Sequence, residues 1–146
     1  MNDERGARGG KVGENEKYNL RQRTKAFALR LIHLYAALPQ SAAAQVIGKQ
    51  LLRSGTSVGA HYREAVRARS PAEFVSKLEG GIQELEETIY WLELLIDGAI
   101  VPEARLTDLL KEADELMAIL VSSAKTVKAH AHNNAPRNQA EQRRRV

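Results

Sequence analysis

Apolar side chains recur every three or four residues in four separate segments of this 146-residue chain. In a helix of 3.6 residues per turn, this spacing gathers them on one face. No segment alternates apolar and polar residues as a half-buried strand would. The pattern therefore predicts an all-α protein in which every helix has one face to bury. The first series comprises Leu20, Thr24, Phe27, Leu31, Leu34 and Leu38.

The remaining three series are longer or equally regular, and short connections separate them. Long helices joined by short connections favour antiparallel neighbours. We therefore expect an antiparallel up-down four-helix bundle over residues 18–128, which is long enough to bury a core without disulfides or metals. The second series is Ile47, Leu51, Ser54, Val58, Tyr62 and Ala65; the third is Phe74, Leu78, Ile82, Leu85, Ile89, Leu92 and Ile96; the fourth is Leu106, Leu109, Ala113, Leu116, Leu120, Ala124 and Val127.

Helix boundaries are marked by capping residues. Ser41 is a suitable N-cap for the second helix, and Ser70 for the third. Pro71 then occupies the first helical position and Glu73 the third, which is the reciprocal capping arrangement. Gly98 suits a left-handed C-cap at the end of the third helix.

Both ends of the chain lack apolar periodicity. Residues 1–17 are rich in glycine and charge, and we expect them to be disordered. Residues 129–146 are predicted to form a polar basic tail, whose arginines either add non-specific phosphate contacts or are simply solvated. Neither a signal peptide nor a membrane span is expected, and no membrane partner, so the protein is predicted to be soluble and cytoplasmic. The absence of cysteine excludes thiol redox chemistry and thiolate-bound zinc.

Positive charge is concentrated in the first half of the predicted bundle. Residues 18–41 and 42–70 each carry a net charge of +4, whereas residues 71–98 carry −6. At about 100° per residue, the second helix places four cations within a band of about 80°. Such a band is a candidate nucleic-acid contact, and the alternative is a solvated face paired with the acidic third helix. The candidate nucleic-acid-binding residues are Lys49, Arg53, Arg63 and Arg67, with Arg21, Arg23, Lys25 and Arg30 added from the first helix.

Glycines inside the predicted helices indicate close packing. Each costs about 1 kcal/mol relative to alanine in a helix interior, so another helix should approach closely at Gly55 and Gly59. Gly80 and Gly81 indicate either a kink or a second close contact. Trp91 and its neighbour Tyr90 are interpreted as packing against another helix, with stacking on a nucleobase as the alternative.

No combination of residues has the spacing of a catalytic, cofactor or metal site. Glu84, Glu86 and Glu87 cluster, but no glutamate is followed by histidine three residues later, as di-iron bundles require. His33 and His61 are isolated and are interpreted as interface or surface side chains. We therefore expect a protein without enzymatic activity, cofactor or metal.

The segments RSGTSVGAHYREAVRARSPAEFVSKL and EETIYWLELL resemble the bacterial four-helix-bundle family of proteins encoded in intervening sequences of 23S ribosomal RNA genes. The family is similar in turn to the accessory variability protein of diversity-generating retroelements, a pentameric barrel that associates with a reverse transcriptase and nucleic acid. The resemblance implies a homopentamer and no transferable enzymatic activity. This chain departs from the family at His61, where asparagine is common, and at Gly80 and Gly81; either change could alter a subunit contact. The residues that carry the resemblance are Arg53, Ser54, Ser57, Ala60, Glu64, Ala65, Phe74, Lys77, Leu78, Glu84, Glu87, Thr88, Trp91 and Leu92.

Charge pattern and resemblance together predict a non-catalytic, oligomeric helical bundle that binds RNA or DNA through its basic helix faces. The alternative is a protein-protein adaptor, or an accessory subunit of a nucleic-acid enzyme such as a reverse transcriptase.

Overall fold

The computed structural model describes the backbone of residues 19–144 and the side chains of residues 19–133. Within this part of the chain all regular structure is helical, which confirms the predicted all-α class. The predicted disorder of residues 1–17 lies outside the described residues. The helices are α1 (Leu20–Ala37), α2 (Ala42–Val66), α3 (Pro71–Asp97) and α4 (Glu103–Arg144).

Successive helices are antiparallel, because pairs of contacts on a seam run in opposite directions along the two helices. On the α2–α3 seam Arg53 contacts Glu87 and Glu64 contacts Lys77; on the α1–α2 seam Gly55 meets Leu31 and Gly59 meets Thr24. Ser54 of α2 shares a 2.8 Å hydrogen bond with Thr88 of α3, and both side chains are fully buried. Each hydroxyl also has a backbone acceptor in its own helix: Thr88 donates to the carbonyl of Glu84 at 2.7 Å, and Ser54 lies 3.3 Å from the carbonyl of Leu51. The α2–α3 seam is the most extensive in the bundle, whereas α1 and α4 make little contact. The fold is the predicted up-down four-helix bundle.

Most residues of the core are those that the apolar periodicity predicts, and Ala44, Leu95 and Val101 are buried in addition. Four leucines of α3 lie in the buried core, together with residues of each other helix. Leu34, Ile47, Tyr62, Phe74 and Ile82 from the predicted series are half-buried and pack on its edge. The largest fully buried side chains are Phe27, Leu31, Leu51, Leu78, Leu85, Leu92, Leu95, Leu106, Leu116, Leu120, Val58 and Thr24.

Gly55 sets the spacing between α1 and α2. A Cβ atom at this position would lie 1.9 Å from Cδ1 of Leu31, a fully buried side chain. The close helix approach predicted from this glycine is therefore present, and it occurs within the chain. Gly59 is a second such point, since its Cβ would be 3.1 Å from the hydroxyl of Thr24.

Both predicted serine caps are present. Ser41 accepts a hydrogen bond from the amide of Ala44 at 3.3 Å, and Ser70 accepts one from the amide of Glu73 at 3.1 Å. The reciprocal bond predicted for Glu73 differs by one residue: its carboxylate accepts from the amide of Arg69 at 3.1 Å, the residue before the N-cap, and not from that of Ser70. The sharp α2–α3 connection is thus stabilised from both sides.

The end of α3 differs from the prediction, because Gly98 is not left-handed. Its φ is −78°, and the left-handed residue is Ala99, with φ 55°. The amide of Ile100 donates to the carbonyl of Leu95 at 2.9 Å, and that of Ala99 to Ile96 at 2.9 Å. These two bonds define a Schellman motif, which requires the left-handed conformation one residue after the C-cap. The helix therefore ends with alanine where glycine would be less strained.

Helix α4 continues beyond the apolar pattern that predicted it. The pattern ends at Val127, whereas the helical backbone extends to Arg144 and includes much of the predicted tail. All side chains of residues 128–133 are exposed, since this segment has no apolar face to bury. Lys128 contacts the carboxylate of Glu79, which fixes this part of α4 to α3.

Candidate nucleic-acid interface

Arg53, a predicted nucleic-acid contact, is held by two carboxylates of α3. Its guanidinium lies 3.3 Å from the carboxylate of Glu84 and also contacts Glu87. Glu87 additionally accepts a hydrogen bond from the indole nitrogen of Trp91 at 3.2 Å. The hydrogen bond from Arg53 keeps the pKa of Glu87 below its ordinary value, and that from Trp91 acts in the same direction. This group of residues joins α2 to α3.

Arg23 occupies an equivalent position between α1 and α4. Its guanidinium lies 2.6 Å from the carboxylate of Glu112 and 2.9 Å from that of Glu115. The predicted cations thus do not form a single unpaired stripe. Arg53 makes the pairing with the acidic third helix that the alternative interpretation describes, whereas Arg23 pairs with α4.

The other six predicted cations are exposed and have no ion-pair partner among the described side chains. Four of them line two adjoining clefts between α1 and α2. Arg30 and Lys49 line neither cleft. The four cations of the clefts are Arg21 and Lys25 from α1, and Arg63 and Arg67 from α2 and its C-cap.

The first cleft has a volume of about 470 Å³ and lies where α1 begins and α2 ends. Three arginines line it together with an aromatic and an aliphatic side chain. Val66 is 61% exposed, so an apolar surface is available beside the cations. The lining residues are Arg21, Tyr62, Arg63, Glu64, Val66 and Arg67.

The second cleft, of about 330 Å³, continues along the seam and shares Arg63 with the first. Its other lining residues are small or polar except for Lys25, since the close approach at Gly59 leaves room only for short side chains. We name the two clefts together the α1–α2 groove. Its second part is lined by Thr24, Lys25, Ala28, Thr56, Gly59, Ala60 and Arg63.

The electrostatics of the groove favour an anion. The first turn of α1 contains no acidic residue that would offset the positive end of its helix dipole. Glu64 is the acidic lining residue, and its carboxylate lies 3.2 Å from the ammonium of Lys77. Burial raises the pKa of Tyr62, so its phenol remains neutral at physiological pH. The groove therefore combines a neutral aromatic ring with cations that have no ion-pair partner among the side chains of residues 19–133.

The two adjoining aromatic residues of α3 have different environments. Trp91 packs on the edge of the core, as predicted. Tyr90 is 53% exposed, so the predicted packing against another helix is wrong for this residue within the single chain. It lies on the outer face of α3 with Glu86 and Glu93, away from the α1–α2 groove.

Neither isolated histidine belongs to a metal or catalytic cluster in the described part of the chain. His33 is exposed, and His61 is half-buried between α2 and α3. The Nδ1 atom of His61 has no hydrogen-bond partner and lies 4.0 Å from the Glu64 carboxylate. Across residues 19–133, no three histidine or carboxylate side chains are grouped closely enough to hold a metal ion.

Fold and seam contacts define a class of protein: an antiparallel four-helix bundle whose α2 and α3 are joined by polar side chains. The chain belongs to the 23S rRNA-intervening sequence protein family, whose model matches residues 16–122. It is similar to the crystal structure of a protein of unknown function from the S23 ribosomal protein family of Bacteroides thetaiotaomicron VPI-5482. The identity is 38%, the TM-score is 0.69, and the match covers 73% of this chain and 95% of that one. No curated protein matched.

Family membership has a structural basis on the α2–α3 seam. The residues that carried the resemblance include three polar connections across it: Arg53 with Glu84 and Glu87, Ser54 with Thr88, and Glu64 with Lys77. These residues thus pair α2 with α3. It does not include Arg21, Lys25, Arg63 or Arg67, the cations of the groove.

Sequence reasoning did not identify Tyr62 and Val66 as groove residues. The periodicity assigned Tyr62 to the apolar face, and its ring does pack on the core edge while also lining the first cleft. Val66 follows the last predicted apolar position, Ala65, and lies off the predicted apolar face, so the spacing in the sequence does not mark it; the structure shows it 61% exposed. No helix in the described residues is long and apolar enough to cross a membrane.

Proposed function

We propose that this protein is a non-catalytic, self-associating cytoplasmic bundle that binds nucleic acid through the α1–α2 groove. The observation that supports this proposal is a difference in ion pairing among the predicted cations. Arg23 and Arg53 are each held by two carboxylates of the chain, whereas the four cations of the groove have no ion-pair partner in the described residues. Three arginines that line one cleft suit a phosphate ligand, because the one acidic residue that lines the same cleft, Glu64, lies 3.2 Å from Lys77.

A polyanion bound here would release counterions as the cations replace them. With about four phosphates neutralised, log K should fall with log[salt] with a slope of roughly −3. We expect binding of RNA or DNA at low salt that weakens steeply as salt is added. Arg53 and Arg23 are left out of the contact set, because their carboxylate partners would have to be displaced first.

Self-association would increase this affinity by presenting several grooves to one nucleic acid. The resemblance implies a homopentamer, and we retain that number as part of the proposal. Leu29 and Ile32 of α1, which are 46% and 43% exposed, offer apolar surface for such contacts. Size-exclusion chromatography with light scattering measures the number directly, and a monomer at all concentrations would contradict it.

Charge reversal of Arg63 and Arg67 tests the nucleic-acid proposal. The double variant Arg63→Glu/Arg67→Glu should lose binding in fluorescence anisotropy while retaining its helical circular dichroism spectrum, because both side chains are exposed. The matched control is Arg105→Glu/Lys111→Glu, the same charge change on exposed positions of α4. Equal loss in both variants would indicate a net-charge effect, and binding that ignores salt would also contradict the proposal.

The second candidate function is an adaptor that docks a protein such as a reverse transcriptase or another nucleic-acid enzyme. The exposed Leu29 and Ile32 are the observation in its favour, since large apolar side chains outside a core commonly mark protein contacts. A protein partner retained by the wild type after nuclease treatment, and lost on Leu29→Ser/Ile32→Ser substitution, would favour the adaptor.

A further inference from the structure

We propose that the first cleft of the α1–α2 groove is a subsite for one unpaired nucleotide, so that the protein binds single-stranded nucleic acid in preference to duplex. This inference rests on the proposed function and specifies its ligand. It rests on the composition of the cleft, which contains an aromatic and an aliphatic side chain besides its arginines. A surface that reads only phosphates would need no apolar or aromatic lining.

Tyr62 and Val66 supply the surface that a base would contact. Base stacking on an aromatic ring stabilises single-stranded complexes and tolerates any base, because every base has a π face. Arg21, Arg63 and Arg67 line the same cleft and can hold the phosphates on either side of that base. In a duplex the bases are stacked inside and only phosphates and groove edges are presented, so Tyr62 and Val66 would contribute little.

The dimensions of the groove agree with one strand. The volume of the first cleft, about 470 Å³, lies within the range of about 300–1,000 Å³ typical of small-molecule sites. Beyond Arg63, the groove follows the tight seam at Gly59 and is lined by short side chains. A single backbone can follow this seam from Arg67 past Arg63 to Lys25.

Glu64 is the group in the cleft that would repel phosphate. Its carboxylate lies 3.2 Å from Lys77 and 4.0 Å from the imidazole of His61, which directs it toward α3. The Lys77 ammonium reduces its repulsion of a bound phosphate. The three arginines therefore dominate the potential in the cleft.

The test compares fluorescein-labelled single strands of about 12 nucleotides, as RNA and as DNA, with duplexes of the same sequence at low salt. We expect tighter binding of the single strands. Tyr62→Leu should weaken single-strand binding by roughly 5- to 150-fold, the range for loss of one stacked base, and leave duplex binding unchanged. Tyr62→Phe should retain single-strand affinity. Tyr90→Leu, the matched control on the outer face of α3, should change neither.

A second measurement is independent of the stability of Tyr62 variants. Ultraviolet crosslinking of a 5-bromouracil-substituted single strand to the wild-type protein should label residues 62–67, and crosslinks confined to other segments would overturn the subsite. Equal affinity for single strand and duplex, with no effect of Tyr62→Leu, would also overturn the subsite. The proposed function would remain supported in that case if Arg63→Glu/Arg67→Glu still abolishes binding. No binding of either ligand at low salt would overturn both.

Discussion

The imidazole of His61 in α2 packs against Gly80 in α3: a Cβ atom on Gly80 would lie 3.0 Å from both Cε1 and Nδ1 of the ring. Gly81 lies beside it, with its Cβ position 3.3 Å from Cβ of His61. His61, Gly80 and Gly81, the positions at which the resemblance implies an altered subunit contact, therefore meet in one intrachain contact. The absence of a side chain at Gly80 leaves the space that the histidine ring occupies.

This contact predicts that the effect of Gly80→Ala depends on His61. In a His61→Ala background, Gly80→Ala should stabilise the protein by about 1 kcal/mol through helix propensity. With His61 present, the ring must move, and the gain should be cancelled or reversed. Urea unfolding of the four members of this double-mutant cycle measures the coupling. Equal stabilisation in both backgrounds would show that the ring imposes no constraint on position 80.

Ala99 should be the easiest position at which to stabilise the fold. It adopts φ 55° at the end of α3, a left-handed conformation that costs an L-residue roughly 1–2 kcal/mol. Ala99→Gly should therefore raise the free energy of unfolding by about 0.5–1 kcal/mol, less than the full strain because glycine also has a more flexible unfolded state. Ala104→Gly, an exposed position in the first turn of α4, is the control and should not stabilise. A destabilised Ala99→Gly variant would contradict the Schellman geometry.

The pH dependence of stability should reveal the Arg53–Glu87 pair. The pKa of Glu87 is lowered from its ordinary value of 4.5, first by the hydrogen bond from Arg53. A carboxyl group with a lower pKa in the folded state stabilises the fold above its unfolded pKa, and this stabilisation is lost as pH falls through the folded pKa. Glu87→Gln should therefore reduce the loss of thermal stability between neutral pH and strongly acidic pH.

The matched control for that prediction is Glu86→Gln. Glu86 is the neighbouring residue on α3, is exposed, and has no ion pair among the described side chains. Its substitution should leave the acid branch of the stability profile nearly unchanged. Identical profiles for the two variants would show that the Arg53 pair does not contribute to acid sensitivity.

Substitutions of Arg53 and of Arg67 should have different effects, the first on the stability of the fold and the second on nucleic-acid binding. Arg53→Gln should lower the melting temperature and leave nucleic-acid affinity unchanged, because its guanidinium is held by α3. Arg67→Gln should leave the melting temperature unchanged and reduce the salt slope of binding by about one. Calorimetry and anisotropy on the same preparations check both statements. A loss of affinity in Arg53→Gln alone would return Arg53 to the nucleic-acid interface.

Most of the fold could be predicted from the sequence, because helical periodicity and N-capping depend on residues only three or four positions apart. The spacing of Thr24, Phe27 and Leu31 predicts a helix with one buried face, and the serine caps act on amides only three residues away. The left-handed residue at the end of α3 was assigned to Gly98 because glycine is the usual residue there. The hydrogen bonds from the amides of Ala99 and Ile100 place the left-handed conformation at Ala99. These bonds depend on the path that the chain takes from α3 into the connection to α4.

The candidate site could be predicted only in part, for a physical reason. The sequence determined that cations concentrate on α1 and α2, that four helices must bury apolar faces, and that glycines mark close approach. Side chains that are distant in the sequence decide which cations are free to bind an external anion. Glu87 pairs with Arg53, and Glu112 pairs with Arg23. An ion pair depends on a separation of a few ångströms, and only the packing of one helix against another sets that separation.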